Sequence, residues 1–530
     1  MADDAEGGCG RRPTMRRMPT TSPPLDETEL GASRQLAAVD MGSNSFRLEV
    51  GQLQDGRYRR LDYLKETVRL GAGLDDTGLL DEEAAVRGLE CLARFARRLE
   101  GFSADQVRAV ATQTLREATN RDVFLVRAEQ ALGHPIEIIS GREEARLIYA
   151  GVARLQPSSL PRLVVDIGGR STEMILGKGP RPMLAESFGI GSVSLSMKYF
   201  PDGRFTKRRF HEAQVAAGAE LEEALEPFAP RQWAEALGSS GTVGAVSQIL
   251  AATGVSDGRV TPDGLRWLME RCLEAGSADR LDLPGLKDER RAVIGGGLAI
   301  LYTLAAHFGI DELVPARGAL RQGVIFDLDA RQAVQRRAGG EDLREESVHE
   351  LQRRFGVDLD QASRVAAVAA SLLAGAGPKV DAEAQRELGW AAALHEAGMM
   401  VSHHDHHRHS AYLLTNVDAP GFSQNQLQRM AQLALGQRGG LRKVEAQLQD
   451  PGFALRLLCL RLAVIVCHAR EPVDTGVVAL RQSGDEATIG ADSDWARAHP
   501  RALHLLREEV AAWAKVKTGA RPPRLLEAEG

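Results

Sequence analysis

The sequence predicts an α/β protein with two related lobes, followed by a helical region and a small α+β segment. Three observations carry that prediction. Short apolar runs alternate with helical periodicity over residues 35–333. Residues 39–51 align without a gap on residues 165–177, as one hairpin written twice. Strand signals fade after about residue 333, where helical patterns take over. A chain of 530 residues, 43% hydrophobic and 26% charged, has room for three or four domains at about 100–200 residues each. The expected divisions are an extension over 1–33, lobes over 34–156 and 157–333, a helical domain over 334–474 and a small C-terminal domain over 475–530.

The elements follow in order. Residues 1–33 lack the apolar core of a secretory signal and read as a disordered extension, with Met15 or Met18 as alternative starts. Residues 35–39 form an apolar run that breaks at 40–45 and resumes at Phe46, which reads as strand, tight turn, strand. Residues 81–99 place Val86, Leu89, Ala93, Ala96 and Leu99 on one helical face. Residues 107–111 and 136–139 read as short strands. In the repeat, the Val, the Asp, the first Gly, one Ser and the final Gly coincide. Two copies so far apart indicate paired lobes rather than a solenoid, with one Asp-x-Gly turn from each facing the other across a cleft. Residues 345–374, 382–397 and 424–435 read as helices, 477–489 as a hairpin and 500–516 as a final helix.

Charge and cysteine usage exclude some functions. A net charge of −6 argues against duplex DNA as the main partner, and a polyanion would have to be met by a local basic surface. Five cysteines without a CxxC spacing fit no disulfide framework and read as reduced thiols of a cytoplasmic protein. The most apolar late stretch, 454–466, is interrupted by Arg456 and Arg461 and is too short to span a membrane.

The chemistry lies in the turns. An Asp-x-Gly turn between strands exposes backbone N–H groups in a concavity that suits phosphate oxygens. Gly42, Ser43, Asn44 and Ser45 make one such turn, and Gly168, Gly169, Arg170, Ser171 and Thr172 make the other. A third Gly-rich loop, with Ser239, Gly241 and Thr242, leads into a helix whose N-terminus favours phosphate. It lacks the Lys of a P-loop. Ser140 opens a further helix, and Glu143 three residues on forms a capping-box pair with it, which gives Glu143 a structural role. Glu144 is free of that cap and points about 100° further round the helix.

The ordered set of residues 40–46, 114–116, 139–145, 166–173 and 238–242 resembles the exopolyphosphatase / guanosine pentaphosphate phosphatase family. Residues 35–333 match it throughout, and the helical remainder with residues 407–413 is similar to the long bacterial exopolyphosphatases. The resemblance implies an actin-like, sugar-kinase-like pair of lobes. It implies Glu144 as the catalytic glutamate, Asp166 and Glu173 as magnesium ligands, Arg116 as a phosphate-contacting arginine, and Mg²⁺ as cofactor. One departure stands out. The family usually has three glycines where this chain has Gly168-Gly169-Arg170. Arg170 aligns with Asn44 and is expected to clamp a phosphate, the alternative being that its bulk holds the loop away from the ligand.

The expected function is Mg-dependent hydrolysis of the terminal phosphate of inorganic polyphosphate. A guanosine-5'-triphosphate,3'-diphosphate phosphatase is the first alternative, and a non-catalytic phosphate or nucleotide sensor is the second. A homodimer is expected, with no nucleic-acid partner. His403, His404, His406, His407 and His409 near Asp405, with His395 before Glu396, resemble an HD-type site whose His-Asp pair has become His-Glu. Their spacing mixes helix faces and loop, which favours packing or a phosphate-chain surface over a catalytic metal site.

Overall fold

Two five-stranded sheets repeat one topology. The structure, a computed structural model, describes residues 34–54, 56–336, 342–377, 380–484, 486–517 and 521–526. The expected extension 1–33, with its alternative starts, lies outside the described residues.

The first lobe runs β1 (Arg34–Met41), β2 (Phe46–Gln54), β3 (Arg57–Glu66), α1 (Glu82–Arg98), β4 (Val107–Ala111), α2 (Gln113–Glu117), α3 (Arg121–Leu132), β5 (Ile136–Ile138) and α4 (Gly141–Leu155). The second runs β6 (Pro161–Ile167), β7 (Thr172–Lys178), β8 (Arg181–Phe188), α5 (Ser192–Tyr199), α6 (Lys207–Leu221), β9 (Glu235–Ser239), α7 (Ser240–Ala252), α8 (Pro262–Ala275), α9 (Asp288–Arg291), α10 (Ile294–His307), β10 (Val314–Pro315) and α11 (Leu320–Arg336). Strand order is β3-β2-β1-β4-β5 in one sheet and β8-β7-β6-β9-β10 in the other. In each, the first three strands are antiparallel and the last two join in parallel. This is the actin-like arrangement.

The repeat extends to its last glycine. Register slips between Val50 and Gly51 in one sheet and between Leu176 and Gly177 in the other. A Cβ at Gly51 would come within 2.4 Å of the Tyr58 ring, and one at Gly177 within 2.2 Å of Tyr149. Each bulge therefore leaves room for an aromatic ring, which only glycine permits.

Between the sheets lie α4 and α11. Their apolar faces (Leu147, Ile148 and Val152; Val324 and Ile325) share one buried cluster with Leu36 and Ala38 of the first sheet and Val164, Ile175 and Leu237 of the second. The start of α4 is thus fixed where the lobes meet.

The helical region comprises α12 (Leu343–Arg354), α13 (Leu359–Gly375), α14 (Ala382–Ala393), α15 (His406–Asn416), α16 (Gln424–Gly436) and α17 (Pro451–Val466). The small terminal segment adds β11 (Val478–Ser483), β12 (Glu486–Ala491), α18 (Ser493–Ala498), α19 (Pro500–Trp513) and β13 (Arg524–Leu526). Two expectations need correction. The helix read over 345–374 is two, because Gly356 takes φ +60 and ends the first. In α1 the buried face is Ala84, Ala85, Gly88, Cys91, Leu92 and Phe95, while Val86 is exposed. There small residues, not Val86, let the helix approach the sheet.

Among the described residues, Cys91, Cys272, Cys459 and Cys467 are buried free thiols, and no helix is long and apolar enough to cross a membrane. No group of three or more His, Cys, Asp or Glu among them could hold a metal. His395 is buried with Nδ1 2.6 Å from the Ala392 carbonyl. Burial pushes His406 and His407 down to about 4, so both are neutral near pH 7.

Candidate active site

The two Asp-x-Gly turns meet. A Cβ at Gly169 would lie 3.3 Å from Ser43 Cβ and 3.5 Å from Asn44 N. Beneath them is a cavity of about 90 Å³ between the lobes. Gly42, Ser43, Asn44 and Ser45 line it from the first turn, Gly168, Gly169 and Ser171 from the second, and Gly241 and Thr242 from the third loop. Asp40, Asp166 and Glu144 supply its carboxylates, and Arg47, Arg290 and Arg321 its guanidiniums.

Strand pairing explains how the acids are placed. Asp40, next to last in β1, lies opposite Arg47 of β2, and Asp166, next to last in β6, lies opposite Glu173 of β7. Asp40 lies 3.5 Å from Arg321 and 3.9 Å from Arg47. Arg321 is itself held by Glu49, at 3.2 Å. Asp166 has no such ion pair among the described residues, and burial pushes it up to about 6, Ser239 and Arg47 opposing and Asp40 reinforcing. Glu173 is buried behind the cavity lining, accepts from Ser187 Oγ at 2.8 Å, and is also pushed up by burial and by the nearby charges of Glu144 and Asp166.

Glu144 stands on the first turn of α4, 8% exposed. Arg116 donates to its Oε2 at 2.9 Å and to the Ile139 carbonyl at 2.9 Å. Burial pushes Glu144 up to about 7, against Arg116 and with Asp40 and Asp166. A carboxylic acid that titrates near neutrality in a cleft suits proton transfer.

Several sequence-predicted residues sit elsewhere than on the lining. Arg116 is engaged with Glu144, Ile139 and Gln113, so it orients the glutamate. Thr172 donates to the Ile190 carbonyl at 2.6 Å and Ser239 to the Gly318 carbonyl at 3.2 Å, so both brace their loops. Thr242 lines the cavity while donating to the Ile167 carbonyl at 3.0 Å. Arg170 turns outward: it pairs with Glu117 at 2.8 Å and donates to the Gly71 carbonyl at 3.1 Å. Instead of clamping a phosphate from the second turn, it ties that turn to the first lobe. Glu143 departs from the capping box. Ser140 caps the helix by accepting from the Glu143 N–H at 3.2 Å, yet the Glu143 carboxylate goes to Arg146 and to the Gly421 N–H.

Three cations were missed. Arg47 follows the first turn at a fixed offset, and strand alternation could have marked it; its Nε is buried without a partner among the described residues. Arg290 presses on the third loop, where a Cβ at Gly241 would lie 1.9 Å from its NH2. Burial and neighbouring Arg47 push Arg290 below the usual arginine range. No local pattern flags Arg290 or Arg321, which reach the site from far along the chain.

Known proteins extend this picture. The profile of the Ppx/GppA phosphatase family matches residues 50–332, and that of Ppx/GppA phosphatase domain III matches residues 343–510. A Vibrio vulnificus protein named guanosine-5'-triphosphate,3'-diphosphate pyrophosphatase is 37% identical over 480 residues, covering 89% of this chain and 95% of its own. A Vibrio cholerae protein of the same name is 36% identical over 498 residues, covering 93% and 98%. A solved exopolyphosphatase from Cytophaga hutchinsonii superposes with a TM-score of 0.51 at 23% identity, over 56% of this chain and 98% of that one. The match to both parts of the family, in chain order and around this cleft, shows that the chain belongs to the Ppx/GppA phosphatase family.

Proposed function

We propose that this phosphoric anhydride hydrolase removes the terminal phosphate of inorganic polyphosphate as orthophosphate, and that Glu144 is its general base. The observation that carries the reading is the convergence of two N–H-rich turns on one cavity with a near-neutral glutamate and unpaired guanidinium nitrogen. Phosphoanhydride hydrolysis has a loose transition state, so positioning and charge stabilisation do most of the work. Glu144, held by Arg116, takes a proton from the attacking water. The water oxygen bonds to the terminal phosphorus as the bridging P–O bond breaks, and the electron pair leaves on the departing phosphate. Arg47 binds the phosphate chain and Arg290 stabilises the negative charge that spreads over the phosphates, aided by backbone N–H groups of residues 42–45 and 169–171.

Magnesium fits the acids present. Asp166, on the lining, and Glu173, just behind it, are hard oxygen donors with no ion pair among the described residues. Mg²⁺ is commonly held by one or two carboxylates, with waters and substrate phosphates completing its octahedron. When bound, the ion would neutralise charge on the terminal phosphate oxygens.

A second substrate is favoured by a specific observation. The relatives that align along nearly the whole chain are named guanosine-5'-triphosphate,3'-diphosphate pyrophosphatases, and the terminal phosphoanhydride of that nucleotide poses the same chemistry. The test is orthophosphate release by the purified chain from each substrate with Mg²⁺. Release from either supports the reading, the ratio assigns the preference, and release from neither overturns it in favour of a non-catalytic sensor. A homodimer and a cytoplasmic location belong to the same proposal.

A further inference from the structure

We infer that the helical region positions the catalytic base, with Glu143 and Asn425 as the positioning residues that fix the segment on which Glu144 stands. The inference rests on the reading of Glu144 as general base.

Residues 138–144 lead from β5 into the first turn of α4 and are held from two sides. On the cleft side, Arg116 bonds both the Ile139 carbonyl and the Glu144 carboxylate at 2.9 Å. On the other side, the helical region contributes two contacts of the same length. The Ile138 N–H donates to Asn425 Oδ1 at 2.9 Å, and the Gly421 N–H donates to Glu143 Oε2 at 2.9 Å. Gly421 is firmly set. Its carbonyl accepts from Arg331 at 2.7 Å, and its φ of +87 suits glycine alone, with a would-be Cβ 2.9 Å from Arg344 Cγ.

Glu143 is 2% exposed and serves as a junction. Arg146 grips both its oxygens at 2.7 and 2.8 Å and reaches Asp327 of α11 at 2.6 Å. Arg108 of β4 and Arg331 meet the same Asp327, at 2.8 and 2.7 Å. One carboxylate thus joins α4, through these arginines the two-lobe body, and the loop before α16. Neighbours on a helical turn are about 100° apart, so Glu143 faces the helical region while Glu144 faces the cleft. A small rotation of that turn would carry Glu144 away from its water. Where catalysis depends on positioning, a displacement of about 1 Å can cost about 10²-fold.

The test uses the full chain, with Glu143→Gln, Asn425→Ala and the double variant assayed on long-chain polyphosphate with Mg²⁺, well below each measured Tm so that all the protein is folded. The expected result is a kcat loss of about tenfold in each single variant with KM within twofold, since water placement is disturbed and substrate binding is not. The double variant should fall little further than the worse single one, because both loosen one segment. A kcat within twofold of the parent in either folded single variant would overturn the inference, as would losses that multiply or appear only in KM. If Glu143→Gln does not fold, Asn425→Ala decides by the same criterion. Glu144→Gln in the same series keeps the claims apart. Turnover lost there but untouched in both docking variants removes the positioning role alone; turnover retained there removes the base, and the inference with it.

Discussion

The two Asp-x-Gly hairpins have the same pairing, turn length and glycine bulge, but opposite electrostatics. In the first, Asp40 faces Arg47 across the strand pair and Arg321 closes in from α11. In the second, the same cross-strand position holds Glu173, and burial pushes Asp166 up to about 6. The backbone is duplicated, and the side chain opposite each aspartate differs. The first hairpin, with its acid offset by guanidiniums, is suited to hold phosphate. The second, with two acids and no ion pair to either among the described residues, is suited to hold a cation.

Removing the second hairpin's acid should have the largest effect. Asp166→Asn should lower kcat/KM by about 10³-fold, the several kcal/mol that a metal contributes. Stability should move the other way. Asp166 takes up protons when folded at a pH where the unfolded chain, near its ordinary value of 3.8, has released them. Folded-state stability from this group therefore falls as pH rises from about 4 through about 6. Without Mg²⁺ at pH 7.5, Asp166→Asn should raise Tm, by about 2–4 °C for each kcal/mol recovered, and Mg²⁺ should stabilise the parent more than the variant. A lower Tm for the variant would mean that Asp166 is held by a cation the account omits.

Next comes the first hairpin. Arg47→Ala removes a charged phosphate donor worth about 1.5–3 kcal/mol, so KM should rise by about 10–100-fold with a smaller change in kcat, read from steady-state kinetics. An effect confined to kcat would place Arg47 at the reacting phosphate instead. The smallest effect is expected at the tie between lobes. Arg170 and Glu117 are part-exposed, and such pairs contribute about 0–1 kcal/mol. Arg170→Gly should therefore change kcat and KM by less than about threefold, and Glu117→Gln should match it. A large KM increase in Arg170→Gly alone would restore the phosphate clamp.

Both hairpins and the start of α4 were legible in the sequence because their signals are local: a turn, a repeat and a cap. What the side chains do there was not. Glu143 fits a capping box by spacing, yet its carboxylate bonds a peptide 278 positions away, and no local rule foresees that choice. Arg170 reads as a phosphate ligand beside its glycines, but Glu117 and the Gly71 carbonyl from the other lobe capture it. Arg290 lies in a four-residue helix without any motif, and only the fold brings it to Gly241. The expected lobe boundary at 333 falls in the last turn of α11. The α11 residues that pack between the sheets, Leu320 to Leu328, all lie before it.

The central claim is that Glu144 takes the proton from water, and the pH dependence of Glu144→Gln tests it most directly. Glu144 is pushed up to about 7, so below that value it carries a proton and cannot accept another. In the parent, kcat should rise with pH through about 7 as the base is freed. Gln keeps the shape and removes the base, so kcat should fall by about 10²–10⁴-fold, with KM within about threefold and the rise through pH 7 abolished. A folded Glu144→Gln protein with near-normal kcat and the same rise through pH 7 would contradict the account and move the base to Asp40 or Asp166.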